Sequence, residues 1–296
     1  TDGSVYGWGD NYCGRLSPNL TNDVQYSQPQ LIAQLKDITS IRTASSGTIA
    51  RDKTGTVYTW GYAGSRPSIG RPFAVCGTGT LSTGQTFDFF QTTTIEKEPT
   101  IKNISDIYVE GNNYFALTAA GVLYGWGEGF SGLLANSDGT LIDGQYLQGV
   151  RFEQPTKIEG LTDVRSLAFT QLTAYALQRD GTVKAWGNDS RKLLGNGVQK
   201  RTLRPTTVPG LVNVANIQGV FSGLRLQQND GTTLAWGEFI GSMGSTDITS
   251  YIPLVIPTPD RVRYFAARNI GFSVFFASGK VGRDFNNTTD VTPSFR

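Results

Sequence analysis

The chain has 296 residues, with 26 Lys and Arg against 24 Asp and Glu, and no His. Without His there is no Ser-His-Asp or Cys-His nucleophile system, no His-ligated metal and no imidazole pH switch. A net charge of +2 with no long basic run gives no electrostatic footprint for nucleic acid.

No stretch approaches the ~18–20 apolar residues of a membrane-spanning helix, so no membrane insertion is expected. The first residue is Thr, which reads as a processed product or a segment of something longer. Two cysteines, Cys13 and Cys76, are too few for a disulfide framework. Pairing and two free thiols stand level at this point.

The first predicted element is Gly3-Ser-Val-Tyr-Gly-Trp-Gly9, a short strand closed by Trp-Gly. The same unit returns at Gly55–Gly61, Gly121–Gly127, Gly181–Gly187 and Gly231–Gly237. All five tryptophans, Trp8, Trp60, Trp126, Trp186 and Trp236, therefore end a strand, each with Gly five positions before it and Gly directly after it. Asp precedes the leading glycine at Asp2, Asp180 and Asp230, and Asp-Gly between apolar runs is tight-turn chemistry because Gly supplies φ > 0.

Upstream, Ile38, Ile104, Val164 and Val214 each stand 22 residues before a Trp. Each closes a short motif: Leu35–Ile38, Ile101–Ile104, Leu161–Val164 and Leu211–Val214. Pro29, Pro99, Pro155, Pro205 and Pro253 come a few residues earlier. A fifth core starts at Val262, and 22 residues on lies Asp284, so the copy Gly279–Asp284 has lost its Trp-Gly. The first copy has the opposite defect, with no upstream half. Short strands in a unit that recurs without helical periodicity predict an all-β β-propeller with Trp packed between neighbouring blades. The loops after Trp-Gly vary in length, and Tyr62–Glu98 and Glu128–Gln154 are the expanded ones.

The five in-register copies, with Gly14-Arg-Leu16, Gly132-Leu-Leu134, Leu194-Gly195 and Met243-Gly244 after Trp-Gly, resemble the repeat of the regulator of chromosome condensation family over residues 1–285. The resemblance implies a β-propeller, commonly of seven blades, and nucleotide exchange on a small GTPase as one candidate activity. The start at a half repeat is similar to propeller-type β-lactamase inhibitor proteins, in which the N-terminal strand completes the last blade. The same closure here sets Gly3–Gly9 beside Phe272–Ala277 and favours five blades over six, seven or an open arc. Residues 1–285 form one domain on this reading, and 286–296 a tail or linker. A propeller sets the loops holding Cys13 and Cys76 side by side, which favours a bridge in an oxidising compartment.

A catalytic site is not evident. Asp10, Glu128, Asn188 and Glu238 each stand two residues after a Trp, where a carboxylate or amide more commonly caps a turn. Gly77-Thr-Gly79 and Gly195-Asn-Gly197 lack the context of a phosphate loop. Arg191, Lys192, Lys200, Arg201 and Arg204 form a basic loop face more readily explained by solvation than by a partner.

Aromatic residues in the loops are the candidate contacts: Tyr12, Tyr62, Phe87, Phe89, Phe90, Phe130 and Phe239. Anchoring of the loops onto the ring is the competing role for them. The expectation is a non-enzymatic binding module with no metal and no cofactor. It docks a protein or cell-surface glycan within a larger assembly, in an extracellular, cell-surface or virion setting, with a cytoplasmic one as the alternative. Nucleotide exchange and enzyme inhibition are the rival functions.

Overall fold

The computed structural model describes residues 2–32, 34–44, 47–64, 73–135, 152–170, 172–189, 191–197, 202–220, 223–243 and 246–256, together with strands at 262–267, 272–276, 281–282 and 288–289. Two of the expected features lie largely outside them: the middle of the loop Glu128–Gln154, and Lys200 with Arg201. The described residues hold no α-helix, only two single 3-10 turns, at Tyr12–Gly14 and Phe130–Gly132. The chain divides into two compact units, one of Thr1–Phe130 with Gln148–Ile158, the other of Ser131–Leu147 with Glu159–Arg296.

In the first unit, β1 (Tyr6–Asp10) and β2 (Gln25–Leu31) form a two-stranded sheet. A second sheet contains β3 (Ile38–Thr43), β4 (Gly47–Asp52), β5 (Val57–Gly64) and β8 (Glu96–Lys97), extended by a hairpin of β6 (Phe73–Thr80) and β7 (Thr86–Thr92). A third sheet contains β9 (Ile104–Glu110), β10 (Asn113–Thr118), β11 (Leu123–Gly127) and β12 (Phe152–Lys157).

The second unit repeats this four-stranded antiparallel order three times. Its sheets are β13 (Val164–Phe169) to β16 (Thr202–Thr207) through β14 (Thr173–Gln178) and β15 (Val183–Gly187), then β17 (Val214–Val220) to β20 (Thr246–Val255) through β18 (Gly223–Gln228) and β19 (Thr233–Met243), and last β21 (Val262–Ala267), β22 (Phe272–Phe276), β23 (Val281–Gly282) and β24 (Thr288–Thr289).

The Trp-Gly signature has a backbone cause. Gly9, Gly61, Gly127, Gly187 and Gly237 have φ between 105° and 124°, a region that L side chains avoid. At Gly9, Gly127, Gly187 and Gly237 the pairing with the following outer strand shifts register, so the glycine makes the bulge that turns the chain out of the sheet. At Trp60, Trp126, Trp186 and Trp236 the side chain before that glycine is buried in the core.

In the first unit, Trp126 packs with Ile49, Val57, Ile101, Ile104, Ile107 and Ala116 from two sheets. In the second, Trp236 packs with Tyr175, Leu177, Val183, Leu224 and Leu226. Trp60, Trp126, Trp186 and Trp236 are at most 2% exposed. Burying a side chain of this size contributes several kcal/mol each.

Two expectations are corrected at the ends of the chain. Trp8 is 62% exposed, with Tyr6 and Leu31 exposed beside it. Phe272–Phe276 does not pair with the N-terminal strand, because β22 has β21 on one side and β23 on the other. Val281–Gly282 thus takes the ladder position expected for Gly3–Gly9, and among the described residues β1 pairs with β2 alone. Sheet edges are satisfied by whichever strand is at hand, and the degenerate last copy, despite lacking Trp-Gly, still supplies one.

Candidate partner-docking site

The largest departure from the repeat follows Gly61. β5 does not end at its Trp-Gly but runs on to Gly64, pairing Tyr62 with Gln91 and Gly64 with Phe90. The inserted hairpin then pairs Val75 with Phe90, Gly77 with Phe89, Thr78 with Asp88 and Gly79 with Phe87. Its turn is closed by Leu81 N–H donating to the Gln85 carbonyl at 2.8 Å and Gly84 N–H to the Leu81 carbonyl at 2.9 Å. At its base, Gly61 N–H donates to buried Thr92 Oγ1 at 3.1 Å, and Thr59 Oγ1 donates to Oε1 of buried Glu98 at 3.0 Å.

Three kinds of contact brace the hairpin against the loop after Trp8. Cys13, fully buried, is bridged to Cys76 of β6 across 63 residues of chain, with the Cα atoms 5.2 Å apart. Asn22 Nδ2 donates to the Cys76 carbonyl at 3.1 Å. Tyr12 and Phe89 converge on Gly77: a Cβ there would lie 3.1 Å from the Tyr12 hydroxyl and 3.6 Å from the Phe89 ring. A side chain there would push the Tyr12 hydroxyl back by a few tenths of an ångström.

The receiving loop is itself fixed by buried Asn11. Its Nδ2 donates to the carbonyls of Ser17, Leu20 and Thr21, and its Oδ1 accepts from Leu16 and Ser17 N–H. Arg15 stacks over the Tyr12 ring at 5.5 Å. The other side of the hairpin faces out: Val75 is 55% and Leu81 48% exposed.

Of the expected contact residues, Tyr12 and Phe89 hold the hairpin to its support, and Phe90 is half-buried opposite Val75. The side chains of Tyr62, Phe87, Phe130 and Phe239 lie outside what the structure describes. The exposed Val75 and Leu81 were not singled out in the sequence, where Gly- and Thr-rich surroundings disguise a strand. The alternation around Phe87 and Phe89 was the available signal.

The carboxylates after Trp serve their loops. Asp10 Oδ1 accepts Tyr12 N–H at 2.9 Å, Glu128 accepts Asn112 Nδ2 at 2.6 Å, and Glu238 pairs with Arg191 at 3.0 Å. Arg191 is thereby committed, and Lys192 lies over the Tyr251 ring at 4.9 Å. No group of three or more His, Cys, Asp or Glu side chains able to hold a metal occurs among the described residues. Gly77 and Gly79 sit within a strand, not a phosphate loop.

The loops after Trp-Gly carry a second, structural task. Trp60 Nε1 donates to the Leu16 carbonyl at 3.0 Å, Trp186 Nε1 to Leu133 at 2.7 Å and Trp236 Nε1 to Leu193 at 2.6 Å. Each acceptor lies in the loop of the preceding copy. Trp126 is the exception: its buried Nε1 has no partner among the described residues. The loop preceding it in the repeat is the hairpin insertion, whose described residues pair as β6 and β7.

No family model matches the chain. Protein pim1 of Schizosaccharomyces pombe is 24% identical over 197 residues, which is 66% of this chain and 33% of that protein. The RCC1 domain-containing protein RUG3, mitochondrial, of Arabidopsis thaliana is 27% identical over 202 residues, covering 66% and 40%. The chain thus spans about a third to two-fifths of these curated relatives.

Among solved structures, human WBSCR16 superposes with a TM-score of 0.70 at 18% identity, covering 93% of this chain and 70% of that one. Prp20p of Saccharomyces cerevisiae, described with its binding to Gsp1p and histones, superposes with a TM-score of 0.56 at 16% identity, covering 95% and 80%. Repeat and fold are those of an RCC1-like β-propeller.

Proposed function

We propose that this RCC1-like β-propeller docks a folded protein partner through the braced β6–β7 hairpin, with shape complementarity and no bond chemistry. The carrying observation is the exposed Val75 and Leu81 on a hairpin held in place by Cys13–Cys76, Tyr12 and Phe89. An apolar tip that is rigid before binding loses little entropy on docking.

Within that class, acceleration of nucleotide release from a small GTPase is the activity we favour. It is supported by the likeness to Prp20p, which binds Gsp1p. Among the comparisons, none supports an extracellular or virion appendage, and a mitochondrial relative favours an intracellular setting.

Fluorescent-nucleotide release is to be followed across a panel of small GTPases with the wild type and with Val75→Asp and Leu81→Asp. Faster release by the wild type and its loss in the variants is the expected result. No acceleration on any GTPase ends the exchange reading. A partner captured equally by wild type and variants ends the hairpin docking reading.

A further inference from the structure

A second site lies at the other end of β4 and β5, where the turn before Gly55 meets the start of β9. The open cleft there has a volume of about 650 Å³ and is lined by Arg51, Lys53, Thr54, Lys102, Ala119, Ala120 and Tyr124, among others. Its lining carries three cations and no carboxylate. Lys53 pairs with Asp37 at 3.0 Å, and Thr54 of the lining donates to buried Asp52 Oδ1 at 2.6 Å.

Comparison of the copies shows that this composition is local. Nine residues before Trp, the other copies have Leu117, Leu177 and Gln227, and both leucines are buried. This copy has Arg51. Its Nη1 is tethered to the Ile104 carbonyl at 3.3 Å, while its Nε is buried with no partner among the described residues.

Before the leading glycine, Asp2, Asp180 and Asp230 are replaced by Ala120 in the facing copy. One residue earlier, Lys53 and Arg179 make ion pairs with Asp37 and Asp163, at 3.0 and 2.7 Å. The facing copy has Ala119 against Asn103 instead, with Ala119 N–H donating to the Asn103 carbonyl at 3.0 Å. Three substitutions thus converge on one cleft. One adds a cation in place of a core leucine, and two remove charged side chains and leave space.

We infer that this cleft binds a dianionic phosphate group. Arg51, Lys53 and Lys102 line the cleft with no carboxylate in the lining, which favours an anion such as a phosphate monoester, dianionic near neutral pH. Arg51 places its guanidinium in the lining of the cleft, and the lysines act as point charges. The Tyr124 ring and the Ala119–Ala120 floor give apolar contact for whatever bears the phosphate. The inference does not rest on the docking reading, since the cleft and the β6–β7 hairpin lie at opposite ends of β5.

Inorganic phosphate, phosphoserine and acetate are to be titrated into the intact protein at constant ionic strength, with binding read by calorimetry. The variants are Arg51→Leu, which installs the residue of two other copies, Leu117 and Leu177, and is expected to fold, and the exposed Lys102→Met. Phosphate binding that weakens at least about tenfold in Arg51→Leu, with a smaller loss in Lys102→Met, is expected. Tighter phosphoserine binding assigns the group to a phosphorylated side chain, and equal binding assigns it to free phosphate. Phosphate binding unchanged in Arg51→Leu, no binding by the wild type, or acetate bound as tightly as phosphate overturns the assignment.

Discussion

At the residue scale, the tryptophans separate two roles that the repeat makes look alike. Each buried Trp packs in the core, but among the described residues only Trp60, Trp186 and Trp236 also hydrogen-bond the preceding loop. Trp186→Phe should therefore cost about 1–2 kcal/mol more than Trp126→Phe in denaturant unfolding, since it strands the Leu133 carbonyl. Equal costs would contradict the bonding scheme.

Glu110 makes a separate prediction. Burial pushes its pKa up to about 7 from an ordinary 4.5. The folded state then holds the proton more tightly than the unfolded one, so stability falls as pH rises from about 4.5 to 7. Glu110→Gln should remove that slope and be more stable than wild type at pH 7, by on the order of 2 kcal/mol, in melts across that range. The Trp-Gly positions were legible in the sequence because one backbone need, a positive φ at a bulge, repeats five times. The burial of Glu110 was not, because it depends on neighbours far along the chain.

At the element scale, the hairpin β6–β7 shows how an insertion is kept from flopping. The bridge closes a loop of 63 residues, which in the chain-entropy account stabilises by up to about 4 kcal/mol. Cys13→Ser with Cys76→Ser should lower the melting temperature and weaken partner docking together. Gly77→Ala, which drives a methyl into Tyr12, should weaken docking while leaving the bridge in place.

The sequence pointed to this segment through its length and its three Phe, but its Gly and Thr content reads as a loop. The strands form because β5 offers a free continuation beyond Gly61 and Cys76 is pinned to a buried cysteine. Neither fact is local. The phosphate cleft sits between these cases, because Arg51 stands out once the copies are aligned, while its meeting with Ala119 and Ala120 needs two sheets brought together.

At the scale of the whole molecule, the repeat determined the architecture, and chain ends and insertions escaped it. Four-stranded order follows from spacing, and the structure repeats it from β9 onward. The pairing of β22 with β23 could not be read from a segment that had lost its Trp-Gly. The bridge also bears on where the protein works: a persistent Cys13–Cys76 disulfide belongs to an oxidising compartment and free thiols to a reducing one. Trapping with an alkylating reagent in cells, followed by mass measurement of the peptides holding Cys13 and Cys76, distinguishes these settings. A fully alkylated pair would fit a reducing intracellular compartment and leave the hairpin braced by Asn22, Tyr12 and Phe89 alone, whereas a bridged pair would point to an oxidising compartment and keep the disulfide brace.

The exposure of Trp8 gives the protein a built-in optical gauge. Four of the five indoles are sealed between sheets and one stands in water at the bare edge of β1. Collisional quenchers will reach Trp8 first, and its red-shifted emission will dominate the quenchable fraction. Anything that comes to cover that edge should blue-shift this component and shield it, while the other four indoles report nothing. Trp8→Phe removes the signal without touching a core, so a single spectroscopic titration reads occupancy of β1 with no label attached.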